Sequence, residues 1–316
     1  MRFAMQFEGI YPPVITPFKS DHTIDWVGLA AIIEHLIAGG VHGIIVGGTT
    51  GEFYALSREE RLEQLQRAKD IIGGRLPMIA GVNALNALEC PEYAAAARSA
   101  GADALLVAAP PYSLPSQDEL ATHCIAIDSA ADLPIMLYNY PDRVGIEMGE
   151  EFLRTLRPHK NFCAMKEASG DINRVHLLVS QFPNLQLSIG AEDQALEFFA
   201  WGARSWVSPA PNFMVEPIVK LYEICALQGD FEKGRRLMKA LLPVMSILEG
   251  SGKLIQCVKA ACDSLGLPGG VVRPPLQPMD GASKEELLQT LAEAKSAIDE
   301  VLRDETNQAG SKVAAF

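Results

Sequence analysis

Short apolar runs alternate with longer amphipathic stretches from residue 9 to about residue 228. The runs cover residues 10–18, 43–46, 77–82, 104–109, 134–140, 162–166, 185–189 and 205–207. Each has strand length and is bounded by Gly, Pro, Asn, Asp or Ser. Between them, stretches such as 25–38, 58–72, 119–131 and 194–201 repeat apolar positions at helical spacing. Ser57 before Arg58-Glu59-Glu60 and Ser116 before Asp118-Glu119 read as N-caps, because a side-chain oxygen there accepts from a free N–H of the first turn. Apolar strands that alternate with helices predict a parallel sheet. Eight such units in about 220 residues predict an α/β fold closed into a (β/α)8, or TIM, barrel. An open doubly wound sheet is the competing architecture. It requires a Gly-x-Gly-x-x-Gly turn after the first strand, and Pro17-Phe18-Lys19-Ser20-Asp21 is not one.

After Gly229-Asp230 the strand pattern stops. Residues 230–248, 253–265 and 283–302 carry helical periodicity, and a Pro- and Gly-rich connector, 266–278, separates the last two. The expected organisation is a barrel over residues 1–228 followed by a helical domain over 229–316. The polar stretch 304–316 is expected to fray. Glu249-Gly250-Ser251-Gly252-Lys253 resembles part of a phosphate loop but lacks the full spacing and the preceding strand, so it reads as a break between helices.

Composition narrows the function. The chain has 316 residues, 48% of them hydrophobic, and a net charge of -12, with no basic stripe. That balance argues against a nucleic-acid partner. No stretch approaches the roughly 20 uncharged apolar residues of a membrane span, and the N-terminal segment lacks a signal-peptide core. A cytoplasmic location is the default expectation. The six cysteines form no Cys-x-x-Cys pair and sit mostly in apolar segments, so buried reduced thiols are expected. The six histidines show no ligand spacing, and no metal site is expected.

Chemistry in such barrels sits at the C-terminal strand ends. The sixth run ends in Lys166, within Ala164-Met165-Lys166-Glu167-Ala168-Ser169-Gly170. An ammonium buried there is costly, so the neutral amine is favoured. A neutral, desolvated lysine is a nucleophile toward carbonyl carbon, which is Schiff-base chemistry. The alternative is a lysine that clears the strand and pairs with Glu167 at the surface. Tyr138 ends the fifth run, and strands lie about 4.8 Å apart, so it can neighbour Lys166 and pass protons. It can equally be a barrel aromatic bonded to a carbonyl. Gly47-Gly48-Thr49-Thr50-Gly51-Glu52 offers N–H groups beside two hydroxyls, a cradle for a small carboxylate, though a plain glycine turn would look the same. Arg143 can fork onto a second carboxylate or form a surface ion pair.

Taken together, Thr16-Pro17-Phe18, Gly48-Thr49-Thr50-Gly51-Glu52, Pro110 with Tyr112, Tyr138-Asn139 with Pro141, Lys166-Glu167-Ala168-Ser169-Gly170 and Gly190 appear in order along the barrel. In this the chain resembles the dihydrodipicolinate synthase and N-acetylneuraminate lyase family of pyruvate-dependent class I aldolases, on the synthase-like side. The resemblance implies that Lys166 forms the imine, Tyr138 transfers protons and Thr49 relays them. Tyr112 would complete the relay in a neighbouring subunit's site, within a homotetramer built as a dimer of dimers. Thr50, with Gly48 and Gly190, would line the keto-acid site, and Arg143 would hold the carboxylate of an aldehyde. No cofactor is implied. The partners would be a small keto acid and an aldehyde.

The chain also departs from the synthase pattern. Pro111 replaces one of two tyrosines, Ala191 then Glu192 replace an acid directly after the glycine, and Phe53-Tyr54 replace small residues. Those changes surround the second-substrate pocket. A 2-keto-3-deoxy sugar-acid aldolase or dehydratase shares the same core, and a keto-acid sensor without turnover is the alternative of another class. In the synthase branch the resemblance also implies a lysine-inhibition pocket at a subunit interface; its positions match Phe53, Tyr54, Arg58, Leu85, Glu89 and Pro111 here, of which only Glu89 is acidic, so no inhibition by lysine is expected.

Overall fold

The computed structural model describes residues 5–313, with side chains through Arg303. Eight parallel strands form one sheet: β1 (Gly9–Ile10), β2 (Ile44–Val46), β3 (Met78–Gly81), β4 (Ala104–Ala108), β5 (Ile135–Asn139), β6 (Phe162–Glu167), β7 (Gln186–Ile189) and β8 (Ser205–Trp206). Their order is β1-β8-β7-β6-β5-β4-β3-β2. The two end strands meet through a parallel bridge between Pro13 and Ile45. There Val14 N–H donates to Ile45 O and Ile45 N–H to Pro12 O, each at 2.9 Å, and the sheet closes into a barrel.

The first strand is much shorter than the run 10–18 suggests. Pro12, Pro13 and Pro17 have no N–H to give a ladder. The segment therefore contributes β1 and isolated bridges, at Pro13 and at Phe18 with Ile24 and Val271, in place of one continuous strand.

Helices α1 (Trp26–Ala38), α2 (Arg58–Ile72), α3 (Glu89–Ser99), α4 (Gln117–Ala131), α5 (Pro141–Val144), α6 (Glu150–Leu156), α7 (Ile172–Gln181), α8 (Ala195–Ala200) and α9 (Val215–Tyr222) surround the barrel. Ser57 and Ser116 cap α2 and α4 through capping boxes with Glu60 and Glu119. The side chains of each strand alternate, as the period of two requires. Leu105 and Val107 join the large cluster under the helices, while Ala104, Leu106 and Ala108 fill the barrel with Phe7, Ile79, Met136 and Tyr138. All six cysteines are free and buried. Among the described residues no helix is long and apolar enough to cross a membrane.

Three further helices follow: α10 (Phe231–Gly250), α11 (Leu254–Ser264) and α12 (Gly281–Val313). The break between α10 and α11 falls on Ser251-Gly252-Lys253, as the sequence suggests. α12 runs past Asp304 as backbone helix, where fraying is expected; side chains from Asp304 and all of 314–316 lie outside the described residues. α10 packs on α8 and on the turn Glu192–Gln194, which brings its C-terminal end over the mouth of the barrel.

Candidate active site

Lys166 sits on β6 and is 7% exposed. Burial pulls its amine below the ordinary lysine range, and the charges of Glu192 and Glu249 oppose that pull. Glu167 does not pair with it. The next residue along a strand faces the other way, and Glu167 accepts from Arg174 Nε at 3.3 Å, from Asn139 Nδ2 at 2.9 Å and from Ser169 N–H at 2.9 Å. The surface-pair reading of Lys166 is therefore wrong: a complete set of donors holds Glu167 on the outer side of the barrel, and Lys166 points inward.

Tyr138 on β5 is the register partner of Lys166. The Lys166 Nζ lies 4.1 Å from the centre of the Tyr138 ring. The Thr49 hydroxyl lies beside the Tyr138 phenol and acts on it. Burial, then the neighbouring Tyr140 and Glu249, push this phenol well above its ordinary range, while Arg143 and the Thr49 hydroxyl pull it back. Tyr138 also stacks on Tyr140, with ring centres 5.7 Å apart.

The turn that presents Thr49 is shaped by glycine. Gly47 has φ +73°, and a Cβ on Gly81 would lie 2.3 Å from Gly47 O, so the backbones after β2 and β3 touch with no room for a side chain. Gly48 then leads into a 3-10 turn, Thr49–Gly51, with Thr50 buried. Gly190 ends β7 under the same constraint. A Cβ there would meet Glu167 O at 2.6 Å and Ala168 Cβ at 2.7 Å.

Arg143 lies just past β5, in α5. Its backbone N–H donates to Tyr140 O at 3.0 Å, its Cζ lies 5.8 Å from the Tyr140 ring centre, and its charge reaches Tyr140, Tyr138 and Tyr54. Tyr112 stands apart: its side chain is 91% exposed and its φ is +74°, so within one chain it joins none of this cluster.

Two carboxyls at the mouth have no counterpart in the residues picked from sequence. Glu192 is 1% exposed. Its Oε1 accepts from Trp206 Nε1 at 3.1 Å and its Oε2 from Ser208 Oγ. Its own N–H donates to Glu249 Oε1 at 2.9 Å. Burial and Glu249 push the Glu192 carboxyl up, and Ser208, Lys166 and Trp206 oppose them. Glu192 was visible in the sequence only as an acid one place later than the synthase pattern. Glu249 had no signal, because α10 carries it to the mouth from a distant part of the chain.

A buried amine whose charged form burial disfavours, a phenol and a hydroxyl beside it, and a glycine-shaped turn carrying two threonines form a site suited to imine chemistry on a keto acid. The family model for the dihydrodipicolinate synthetase family matches residues 6–294. The chain belongs to that family. It is 36% identical over 293 residues to a 4-hydroxy-tetrahydrodipicolinate synthase from Exiguobacterium sibiricum, covering 92% of this chain and 99% of that one. A second such synthase, from Methanocaldococcus jannaschii, is 34% identical over 286 residues, covering 90% and 98%. The solved structure of the synthase from Methylacidiphilum fumariolicum SolV superposes with a TM-score of 0.88 at 31% identity, covering 94% and 99%. As a member of this family the chain is a Schiff-base-forming lyase and an enzyme of the class I aldolase type.

Proposed function

We propose that the enzyme joins pyruvate or a related 2-keto acid to an aldehyde bearing a carboxylate, or cleaves the corresponding product, through an imine on Lys166. The Lys166 amine adds to the keto carbon. The carbinolamine oxygen takes a proton from Tyr138 and leaves as water, and Thr49 supplies the Tyr138 proton in turn. Loss of a proton from C3 gives an enamine. Its C3 bonds to the aldehyde carbon, whose oxygen gains a proton, and water then releases the product from Lys166. The route uses no metal or organic cofactor.

Thr50 and the N–H groups after Gly48 hold the keto-acid carboxylate, and Gly190 keeps the wall beside Lys166 clear. Arg143 holds the carboxylate of the aldehyde by its fork of donors. Tyr112 extends the proton relay in a neighbouring subunit of a dimer of dimers, which its exposure at the tip of a loop supports. A cytoplasmic setting is consistent with six free, buried cysteines.

The observation that carries this reading is the series from the Lys166 amine to the Tyr138 ring to the Thr49 hydroxyl. Relatives named 4-hydroxy-tetrahydrodipicolinate synthase favour the synthase over a sugar-acid aldolase or a sensor. The test is pyruvate with borohydride, followed by digestion and mass spectrometry. The reduced adduct is expected on Lys166. An adduct on another lysine, or none, overturns the reading. Arg143→Ala should then keep the adduct while losing use of carboxylate-bearing aldehydes, and equal loss with neutral aldehydes would make Arg143 structural.

A further inference from the structure

Helix α2 buries the face Arg61, Gln64, Leu65, Ala68 and Ile72. Helical periodicity puts apolar residues on such a face, and Leu65, Ala68 and Ile72 comply. Arg61 and Gln64 do not, although they are only 5% and 1% exposed. A buried guanidinium without an anion is costly. Among the described residues no carboxylate lies within ion-pair reach of Arg61. An apolar side chain would be the cheaper occupant of either place, so the two polar groups call for a reason.

Both lead to the turn that carries Thr49 and Thr50. Arg61 Nη2 donates to Gly81 O at 3.2 Å. The Gly81 backbone is pressed against the start of that turn: a Cβ on Gly81 would stand 2.3 Å from Gly47 O and 3.1 Å from Gly48 N. The guanidinium carbon lies 3.7 Å from the Tyr93 ring centre and 5.4 Å from that of Phe53, and these contacts fix the direction of the donor. Gln64 reaches the other end of the turn. Its Nε2 donates to Thr16 Oγ1 at 2.6 Å, and the Thr16 hydroxyl donates to Gly51 O at 2.7 Å. Gly51 is the last residue of the turn Thr49–Gly51. We propose that Arg61 and Gln64 are positioning residues that hold the threonine turn at its two ends and so keep the Thr49 hydroxyl beside the Tyr138 phenol. This rests on the proton-relay reading above and adds the residues of α2 on which the relay depends.

The experiment measures kcat, the keto-acid KM and the borohydride adduct on Lys166 for Arg61→Met and Gln64→Leu, each alone and combined with Thr49→Val, with urea unfolding beside each. Each α2 substitution should lower kcat by about 10-fold or more, toward the roughly 10²-fold that a misplacement of about 1 Å can cost. The adduct should persist, because the nucleophile is untouched. In the Thr49→Val background the same substitutions should change kcat by no more than about 2-fold, since the hydroxyl they misplace is already gone. A purely structural role would give the same loss in both backgrounds. Gln64→Leu, which removes a neutral amide, tests the same turn if Arg61→Met does not fold. Unchanged kcat in the folded variants, or an equal loss with and without Thr49, overturns the positioning role alone. A Thr49→Val enzyme with normal kcat overturns the relay reading, and this proposal with it.

Discussion

Lys166 Nζ lies against the face of the Tyr138 ring, 4.1 Å from its centre, and the two residues are register partners on adjacent strands. The amine thus meets the π face, and the phenol hydroxyl has the Thr49 hydroxyl beside it. A ring face attracts a cation, yet burial of Lys166 favours the neutral form. The nucleophile and the proton donor are held side by side without consuming each other.

That arrangement sets a pH dependence. Imine formation needs the neutral amine. Burial lowers the Lys166 pKa, so the rate of imine formation should rise with pH and level off below the pH at which a lysine in water would lose its proton. Glu192 pulls the other way, since its negative charge favours the ammonium. Glu192→Gln removes that pull, so the rise should move to lower pH. Single-turnover rates of imine formation across pH would show it, and an unchanged or upward-shifted limb would contradict the electrostatic role of Glu192.

Tyr138→Phe keeps the ring under the amine and deletes the hydroxyl. Turnover should fall by about 10²–10⁴-fold, the range for a lost acid-base group. Thr50→Val should instead raise the KM for the keto acid with less change in kcat, because it removes a binding hydroxyl and leaves the relay intact. Steady-state kinetics of both variants separate the roles, and near-normal kcat in Tyr138→Phe would remove the phenol from the mechanism.

These groups differ in how readable they were. Lys166, Tyr138 and the threonine turn lie at strand ends, and an alternating pattern of short apolar runs locates strand ends from local sequence. The register that pairs Tyr138 with Lys166 follows from two neighbouring strands of similar length. The first strand is shorter than its apolar run because that run holds three prolines whose missing N–H groups break the ladder. Glu192 and Glu249 escaped for a different reason. Their roles depend on where α10 docks, which no local pattern encodes. The same holds for Glu52 and Lys259, a buried ion pair between the turn after β2 and α11.

Glu52 and Lys259 bear on the site through that turn. Glu52 has φ +55° and follows Thr49–Gly51 directly, and its Oε2 accepts from Arg273 N–H at 3.1 Å. Lys259 also donates to Val271 O at 2.6 Å and lies over the Phe18 ring. Arg273 in turn grips Glu60, Ala55 O and His22 O. α11 and the connector that follows it thereby clamp the loop that presents both threonines. Lys259→Met would leave the Glu52 carboxylate buried without its partner, at a cost of about 3–5 kcal/mol. Adding Glu52→Gln should restore part of that loss, because the uncompensated charge is gone. Urea unfolding of the single and double variants measures both, and a single variant as stable as wild type would show that the pair holds nothing.

The regulatory lysine site implied by resemblance can be judged from what occupies its positions here. A lysine effector needs a carboxylate for its ammonium groups, donors for its own carboxylate, and space. Phe53 and Tyr54 pack edge to face with ring centres 5.8 Å apart, and the Arg61 guanidinium lies 5.4 Å from the Phe53 ring centre, so that corner is filled. Arg58 is engaged with Glu92 at 2.8 Å. Glu89 is the one acid of the set, and it already accepts from Asn86 Nδ2 at 3.2 Å and from Tyr93 OH at 3.5 Å. Leu85 has no polar group, and Pro111 has neither a hydroxyl nor a backbone N–H. A lysine entering this site would give up its hydration and leave charged groups unpaired, which costs more than the remaining contacts return. Millimolar lysine should therefore leave the steady-state rate unchanged at any keto-acid concentration. Saturable inhibition would show that these side chains rearrange around lysine, and would favour a biosynthetic enzyme under feedback control.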